Sequence, residues 1–192
     1  MLELKEISST LSGVAAQEAN TGSARFVRLS DLSELRCGRI PILATGEEPA
    51  VARAWAIEEG DLLVGARGAA TDVCLANHSV IGAYISLDLY LVRPDASKVD
   101  PRYLATFFEL PTTQATLAGS KQGSGLARLP KEAVEKIHVP LPPMQQQRLV
   151  ADLAGCFRDE ADLLKRLIEL NSILGRETLA RAIRVGNSRP NS

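Results

Sequence analysis

The sequence predicts an α+β domain with a mixed or antiparallel sheet over residues 1–143, then a long coiled-coil-type α-helix over 144–185 and a disordered tail over 186–192. Three observations carry this reading. The first part breaks into short apolar runs punctuated by Gly, Pro, Asn and Asp, the pattern of strands joined by turns. Pro140-Leu141-Pro142-Pro143 then interrupts any sheet or helix, because proline lacks a backbone donor and clashes with the preceding helical turn. Beyond it no proline occurs up to Arg184, and Val150, Leu153, Phe157, Leu164, Leu167, Asn171 and Leu174 recur at spacings of three and four, the seam of a helix that packs lengthwise on another.

Taken in order, Leu2, Leu4, Ile7 and Leu11 predict a short helix running into a polar loop that ends near Gly22. Strands are expected at 24–29, 40–43, 51–57, 61–65, 72–76 and 83–92, from run length and β-branched content. Asp100-Pro101 opens a helix, since Asp caps free N–H groups and Pro at the first helical position sacrifices no hydrogen bond. Tyr103, Leu104, Phe107, Phe108 and Leu110 supply its apolar stripe, and a second short helix follows at 112–117. Residues 118–130, AGSKQGSGLARLP, form the most loop-like interior stretch, with glycines permitting tight turns and close approach to a ligand. A short helix at 131–135 and a strand at 137–139 lead to the proline elbow.

The C-terminal helix would be roughly 60 Å long. Its seam has faults: Glu160 occupies a core position, and Gly155 and Gly175 each weaken the helix by about 1 kcal/mol. Asn171 in the seam favours one register at some cost in stability. Two arrangements fit, pairing with a second helix or a hairpin folded back at Gly175.

With 45% hydrophobic residues and a net charge of -1, the chain can bury a core but has no bulk positive field. Residues 1–143 hold 14 basic and 17 acidic side chains and residues 144–192 hold 8 and 6, so the tail is not a polybasic arm. Cys37, Cys74 and Cys156 are odd in number and widely spaced, which argues against a disulfide framework or zinc site and for core thiols in a reducing compartment. The N-terminus carries acids where a secretion signal carries bases, and no apolar run reaches membrane-spanning length. A cytoplasmic location is the expectation.

Motifs for catalysis are missing. Neither a metalloprotease, serine-hydrolase, dinucleotide nor phosphate-loop pattern occurs, and no cofactor is expected on the chain. His138 reads as a satisfied structural histidine in a strand, and His78 as a turn residue. Asp61 and Asp72 would serve a small hydrolase only with partners the sequence does not supply, and the acidic turn GEEP at 46–49 reads as solvated surface.

Three loop-proximal windows contain bases and no acids: Arg25 and Arg28 within 20–30, Arg67 within 62–71, and Lys121, Arg128 and Lys131 within 110–131. Arg and Lys hold phosphates, and Arg, Asn and Gln read base edges. Arg25, Arg28, Arg67, Lys121, Gln122, Ser124 and Arg128 are therefore the candidate DNA-binding residues. The bland alternative for each window is a solvated surface patch.

The run Ile137-His138-Val139-Pro140-Leu141-Pro142-Pro143-Met144-Gln145-Gln146-Gln147-Arg148-Leu149-Val150 resembles the strand, proline elbow and helix start of the specificity subunits of type I restriction-modification systems. Glu59-Gly60-Asp61-Leu62-Leu63-Val64 with Arg67-Gly68, the Asp100-Pro101-Arg102-Tyr103-Leu104 helix opening and the stretch from Gly119 to Leu129 support the likeness in order and spacing. The resemblance implies one target recognition domain and one spacer helix, half of the usual tandem arrangement. It implies a noncatalytic subunit that reads a bipartite double-stranded DNA target as a homodimer, or paired with another half subunit. It also implies docking on methyltransferase subunits, which bring S-adenosylmethionine, and indirectly on the ATP-driven restriction subunit. Residues 14–53 carry little of the family pattern. The competing expectation is an adaptor or scaffold of a defence complex that keeps the pairing helix without reading DNA.

Overall fold

A computed structural model describes residues 1–15, 22–50, 54–68, 70–123 and 127–186. The strands are β1 (Leu2–Glu3), β2 (Ser8–Ser12), β3 (Ala24–Val27), β4 (Ala44–Gly46), β5 (Leu62–Gly65), β6 (Val73–Leu75), β7 (Tyr84–Ile85), β8 (Leu89–Pro94) and β9 (His138–Val139). The α-helices are α1 (Leu32–Arg36), α2 (Pro101–Glu109), α3 (Pro111–Gly119), α4 (Lys131–Glu135) and α5 (Met144–Gly186). A four-stranded antiparallel sheet runs β2-β8-β5-β6, a three-stranded sheet runs β4-β3-β7 with β3 and β7 parallel, and β1 pairs antiparallel with β9.

Strands β5, β6 and β8 of the larger sheet are packed on both faces, which is why they read as unbroken apolar runs rather than alternating ones, whereas the edge strand β2 is mostly polar. Leu62 and Val64 of β5, Val73 of β6, and Tyr90 and Val92 of β8 face a core shared with Leu104 and Phe108 of α2, Leu117 of α3 and Val134 of α4. Their neighbours Leu63, Cys74, Leu89 and Leu91 face a second core with Val27, Leu32, Leu35 and Ile85. The period of two thus sorts alternate residues of one strand between two cores.

The α2 cap forms as the sequence indicates. Asp100 accepts from the backbone N–H of Arg102 at 2.8 Å and of Tyr103 at 3.4 Å, with Pro101 at the first helical position. The same cap anchors the elbow. Gln147, nearly fully buried, accepts from Asp100 N at 2.9 Å and donates through Nε2 to Pro142 O at 2.9 Å and Lys98 O at 3.3 Å. Tyr103 adds a hydroxyl bond to Pro140 O at 2.7 Å.

Several expectations change. The N-terminal helix is instead two strands flanking a single 3₁₀ turn at Leu4–Glu6. Leu2, Leu4, Ile7 and Leu11 imitate helical spacing, but Ser8–Ser12 pairs along its whole length with β8, and five ladder positions outweigh one marginal isolated helix. Residues 40–43 are irregular and the strand begins at Ala44, residues 54–57 are irregular, and 51–53 lie outside the described residues. The run 83–92 is two strands separated by a turn. Only Cys74 is a buried thiol, while Cys37 and Cys156 are exposed. His138 lies on β9, but its side chain is exposed between buried Ile137 and Val139, because successive strand residues face opposite ways.

By its internal contacts the chain divides into Met1–Ala151 and Asp152–Ser192. The 43-residue α5 passes Gly155 and Gly175 without a break, so the hairpin folded back at Gly175 does not form. At 1.5 Å per residue it is about 64 Å long. Its apolar seam residues Val150, Leu153, Phe157, Leu164, Leu167 and Leu174 are between 36% and 63% exposed, and Asn171 is exposed with them. Beyond Gly186 the expected tail lies outside the described residues. Among the described residues no helix is long and apolar enough to cross a membrane.

Candidate nucleic-acid interface

Four connections of the head converge on one edge. β3 ends there at Arg28, and the parallel β7 reaches it beside β3, where Ser86 N donates to Val27 O at 2.9 Å. The turn after β7 meets the β5–β6 connection through Ala66 N to Asp88 O at 2.8 Å. Leu129 N donates to Ala66 O at 2.8 Å, and Arg67 and Arg128 form an antiparallel bridge. Gln122 and Arg128 exchange backbone bonds of 2.9 Å in each direction, closing a loop at its base. Gly68 and Gly123 hold φ of +101° and +110°, backbone that other residues rarely adopt.

Side chains reinforce this edge. Lys121 Nζ donates to Gly68 O at 2.7 Å, tying the two glycine turns together; partial burial pushes its pKa down, with nearby Asp72 opposing. Arg128 donates through Nη2 to Leu87 O at 3.1 Å and lies 5.9 Å from the Tyr90 ring centre. Arg67 pairs with Asp88 at 2.9 Å, and Arg36 with Asp72 at 2.6 Å. The carboxylate of Asp31 accepts from Arg28 N at 2.8 Å and stands 3.9 Å from Arg28 Nε. Five cations, Arg28, Arg36, Arg67, Lys121 and Arg128, thus share the edge with three carboxylates, Asp31, Asp72 and Asp88. The local balance is positive although the whole chain carries -1.

Among the candidate residues, Arg28, Arg67, Lys121, Gln122 and Arg128 come together here. Arg25 does not. Its guanidinium donates to Ser79 O at 3.1 Å and Ile81 O at 2.7 Å, carbonyls that precede β7 and lie toward the opposite end of the parallel β3–β7 pair. Ser124 lies outside the described residues. Arg36 and Arg39 were missed because Glu34 sits beside them in sequence, so neither falls in the acid-free windows; the structure sends Glu34 back to Arg39 and leaves Arg36 reaching Asp72.

Of the two carboxylates considered for hydrolysis, Asp61 is built into the core and Asp72 lies on the surface, paired with Arg36. Asp61 is 1% exposed and accepts from Arg93 Nε at 2.9 Å, Arg93 Nη2 at 2.8 Å and Glu58 N at 2.8 Å. That pairing raises the Arg93 pKa. Among the described residues no group of three or more His, Cys, Asp or Glu is placed to hold a metal ion.

The fold, mixed sheets followed by a long C-terminal helix, matches solved chains of type I restriction-modification systems. A chain from a structure titled for complex assembly and conformational transition of the type I restriction-modification system aligns at a TM-score of 0.69 and 18% identity, over 93% of this chain and 43% of its own. The S subunit of a type I restriction-modification system from M. genitalium aligns at 0.57 and 12%, over 92% and 43%. The HsdS subunit of Thermoanaerobacter tengcongensis aligns at 0.63 and 19%, over 86% and 43%. The chain therefore spans less than half the length of each of these solved chains. No curated protein sequence matches it. Residues 14–170 match the family model of the type I restriction-modification DNA specificity domain, and the chain belongs to that family.

Proposed function

We propose that the chain is a DNA-reading half of a type I specificity subunit, which meets the duplex through Arg28, Arg67, Gln122 and Arg128 while Lys121 braces the Gly68 turn. The observation that carries this is the convergence of these residues, from three separate sequence windows, on one edge of a head belonging to a DNA specificity family. Guanidinium groups and a glutamine amide suit phosphate holding and base-edge reading together. Ser124, two residues after Gln122 in the sequence, is proposed as a further DNA contact.

The exposed stripe of α5 pairs with a second such helix, from another copy or another half subunit, and Asn171 sets the register. Two heads held apart by paired helices read a bipartite target. The assembly positions methyltransferase and restriction subunits, which perform the chemistry in the cytoplasm; the chain itself is not an enzyme. The test is selection from a random-sequence duplex pool by the full chain, alone and with a methyltransferase subunit. Enrichment of one two-part sequence is expected. Equal retention of all duplexes across a salt series overturns the reading.

A further inference from the structure

We propose that Glu160 and Asn171 form a polar lock through which α5 selects a second copy of its own helix, laid antiparallel with Leu164 level with Leu167 of that copy. This rests on the helix pairing proposed above and names its partner and register.

Continued at the same spacing, the seam of α5 runs from Val150 to Arg181, and its members Phe157, Leu164, Leu167 and Leu174 are all more than half exposed. Two members break the apolar pattern: Glu160 and Asn171 stand in the same stripe and are exposed with it. A polar side chain in such a seam is costly against hydrocarbon and tolerable against a group that bonds to it. An ionised carboxylate only accepts hydrogen bonds, and the amide nitrogen of asparagine donates two. The two faults therefore complement each other.

The rows of the heptad decide how they can meet. Phe157, Leu164 and Asn171 lie in one row of the seam, and Glu160, Leu167 and Leu174 in the other. Parallel copies in register face each row with itself, which would set the Glu160 carboxylate of one copy against that of the other. Antiparallel copies face one row with the other, because reversing a heptad exchanges its two apolar positions. With Leu164 level with Leu167 of the second copy, Phe157 meets Leu174 and Glu160 meets Asn171, and the twofold axis repeats each contact. The same register overlaps the seam along its whole length, with Val150 level with Arg181. A slip of one heptad either way sets Asn171 against Leu153 or Leu167 and strips about two turns of seam of their partner. Apolar burial and polar complementarity thus choose one arrangement. A second copy of this chain supplies both polar groups at the matching positions, which favours it over a helix that carries hydrocarbon there.

The experiment uses the full chain without DNA, with Cys37→Ser and Cys156→Ser as background, Cys74 being buried. Chains with Phe157→Cys and with Leu174→Cys are oxidised separately and mixed. In the proposed register Phe157 is level with Leu174 of the other copy, while each lies about 26 Å along the pair from its own counterpart. The mixture should give a disulfide-linked dimer, and neither chain alone should. Linkage of either chain with itself, or a mixture that does not link, overturns the register. Sedimentation then measures the lock. Glu160→Leu should weaken self-association at least tenfold, because it leaves Asn171 of each copy against hydrocarbon, and Glu160→Gln, which still accepts from the amide, should restore it. Glu160→Leu/Asn171→Leu should associate at least as tightly as the wild type but lose the fixed orientation, so that Phe157→Cys and Leu174→Cys also link to themselves. Equal association of the wild type and Glu160→Leu overturns the lock. A chain that stays monomeric alone and joins only a different half subunit overturns the choice of partner and leaves the pairing standing. A dimer locked as described that enriches no duplex sequence supports this inference and removes the DNA reading.

Discussion

Substituting Arg67 by glutamine asks whether the basic edge meets phosphate. In the free head Arg67 stands 2.9 Å from Asp88, with the two side chains 40% and 43% exposed. A pair so open to water contributes on the order of 0.2–1 kcal/mol, so breaking it costs little stability and Arg67 exchanges Asp88 for a phosphate at small expense. Each phosphate neutralised releases condensed counterions and adds about -0.9 to the slope of log affinity against log salt concentration. If Arg28, Arg67 and Arg128 each meet one phosphate, a single head shows a slope of about -2.7, and two paired heads about -5.4. Arg67→Gln should flatten the slope by about 0.9 per head. Asp88→Asn removes the competing anion and should tighten binding. Arg25→Gln is the control, because its guanidinium is committed to two carbonyls towards the other end of β3. Fluorescence anisotropy on one labelled duplex over a potassium chloride series measures all three, with circular dichroism as a check of folding. The assignment of the edge is refuted if Arg25→Gln flattens the slope as much as Arg67→Gln does, or if Arg67→Gln leaves it unchanged.

Asp61→Ala should destabilise the head by about 3 kcal/mol in urea denaturation, because it removes the buried partner of the Arg93 guanidinium; a loss below about 1 kcal/mol would show that Glu58 and water replace it. If α5 pairs as proposed, the chain should sediment as a dimer and Leu164→Asp as a monomer, without a change in the melting of the head; a wild-type dimer that Leu164→Asp leaves intact would place the seam elsewhere. Burial pushes the Cys74 thiol up to about 11, so an aromatic disulfide reagent at mildly alkaline pH should titrate Cys37 and Cys156 quickly and Cys74 only on unfolding. Three fast thiols would contradict the packing. Since the folded value lies above the unfolded one, the stability tied to the Cys74 thiol is complete below about pH 9 and lost as pH rises towards 11.

Much of this protein was legible along the chain. Helix α2 was readable because its start signal is local: Asp100 and Pro101 cap it whatever the rest of the fold does. The long helix was readable because its signal repeats over many turns and the proline elbow marks its start. The exposure of His138 was also within reach, since strand alternation between Ile137 and Val139 turns it outward. The N-terminal segment was not, because four apolar residues at helical spacing carry the same pattern as two short strands, and the distant β8 and β9 decide between them. Helix α1 escaped for a related reason: five residues are too few to show a period, and its buried Leu32 and Leu35 find their partners in the second core.

Sequence by itself determined the kinds of part present, a sheet-rich head, a stiff elbow and a helix with an apolar stripe, because each is specified by neighbours within a few residues. Which basic side chains stand together was decided only in three dimensions. Arg28, Arg67 and Arg128 are far apart along the chain and meet because β3, β5 and β7 end at the same edge, while Arg25, three residues before Arg28, is turned towards the carbonyls of Ser79 and Ile81. A strand carries residues so close in sequence to different surroundings, whereas hydrogen bonds between strands bring distant ones into register, so membership of a surface cluster follows from topology and not from spacing.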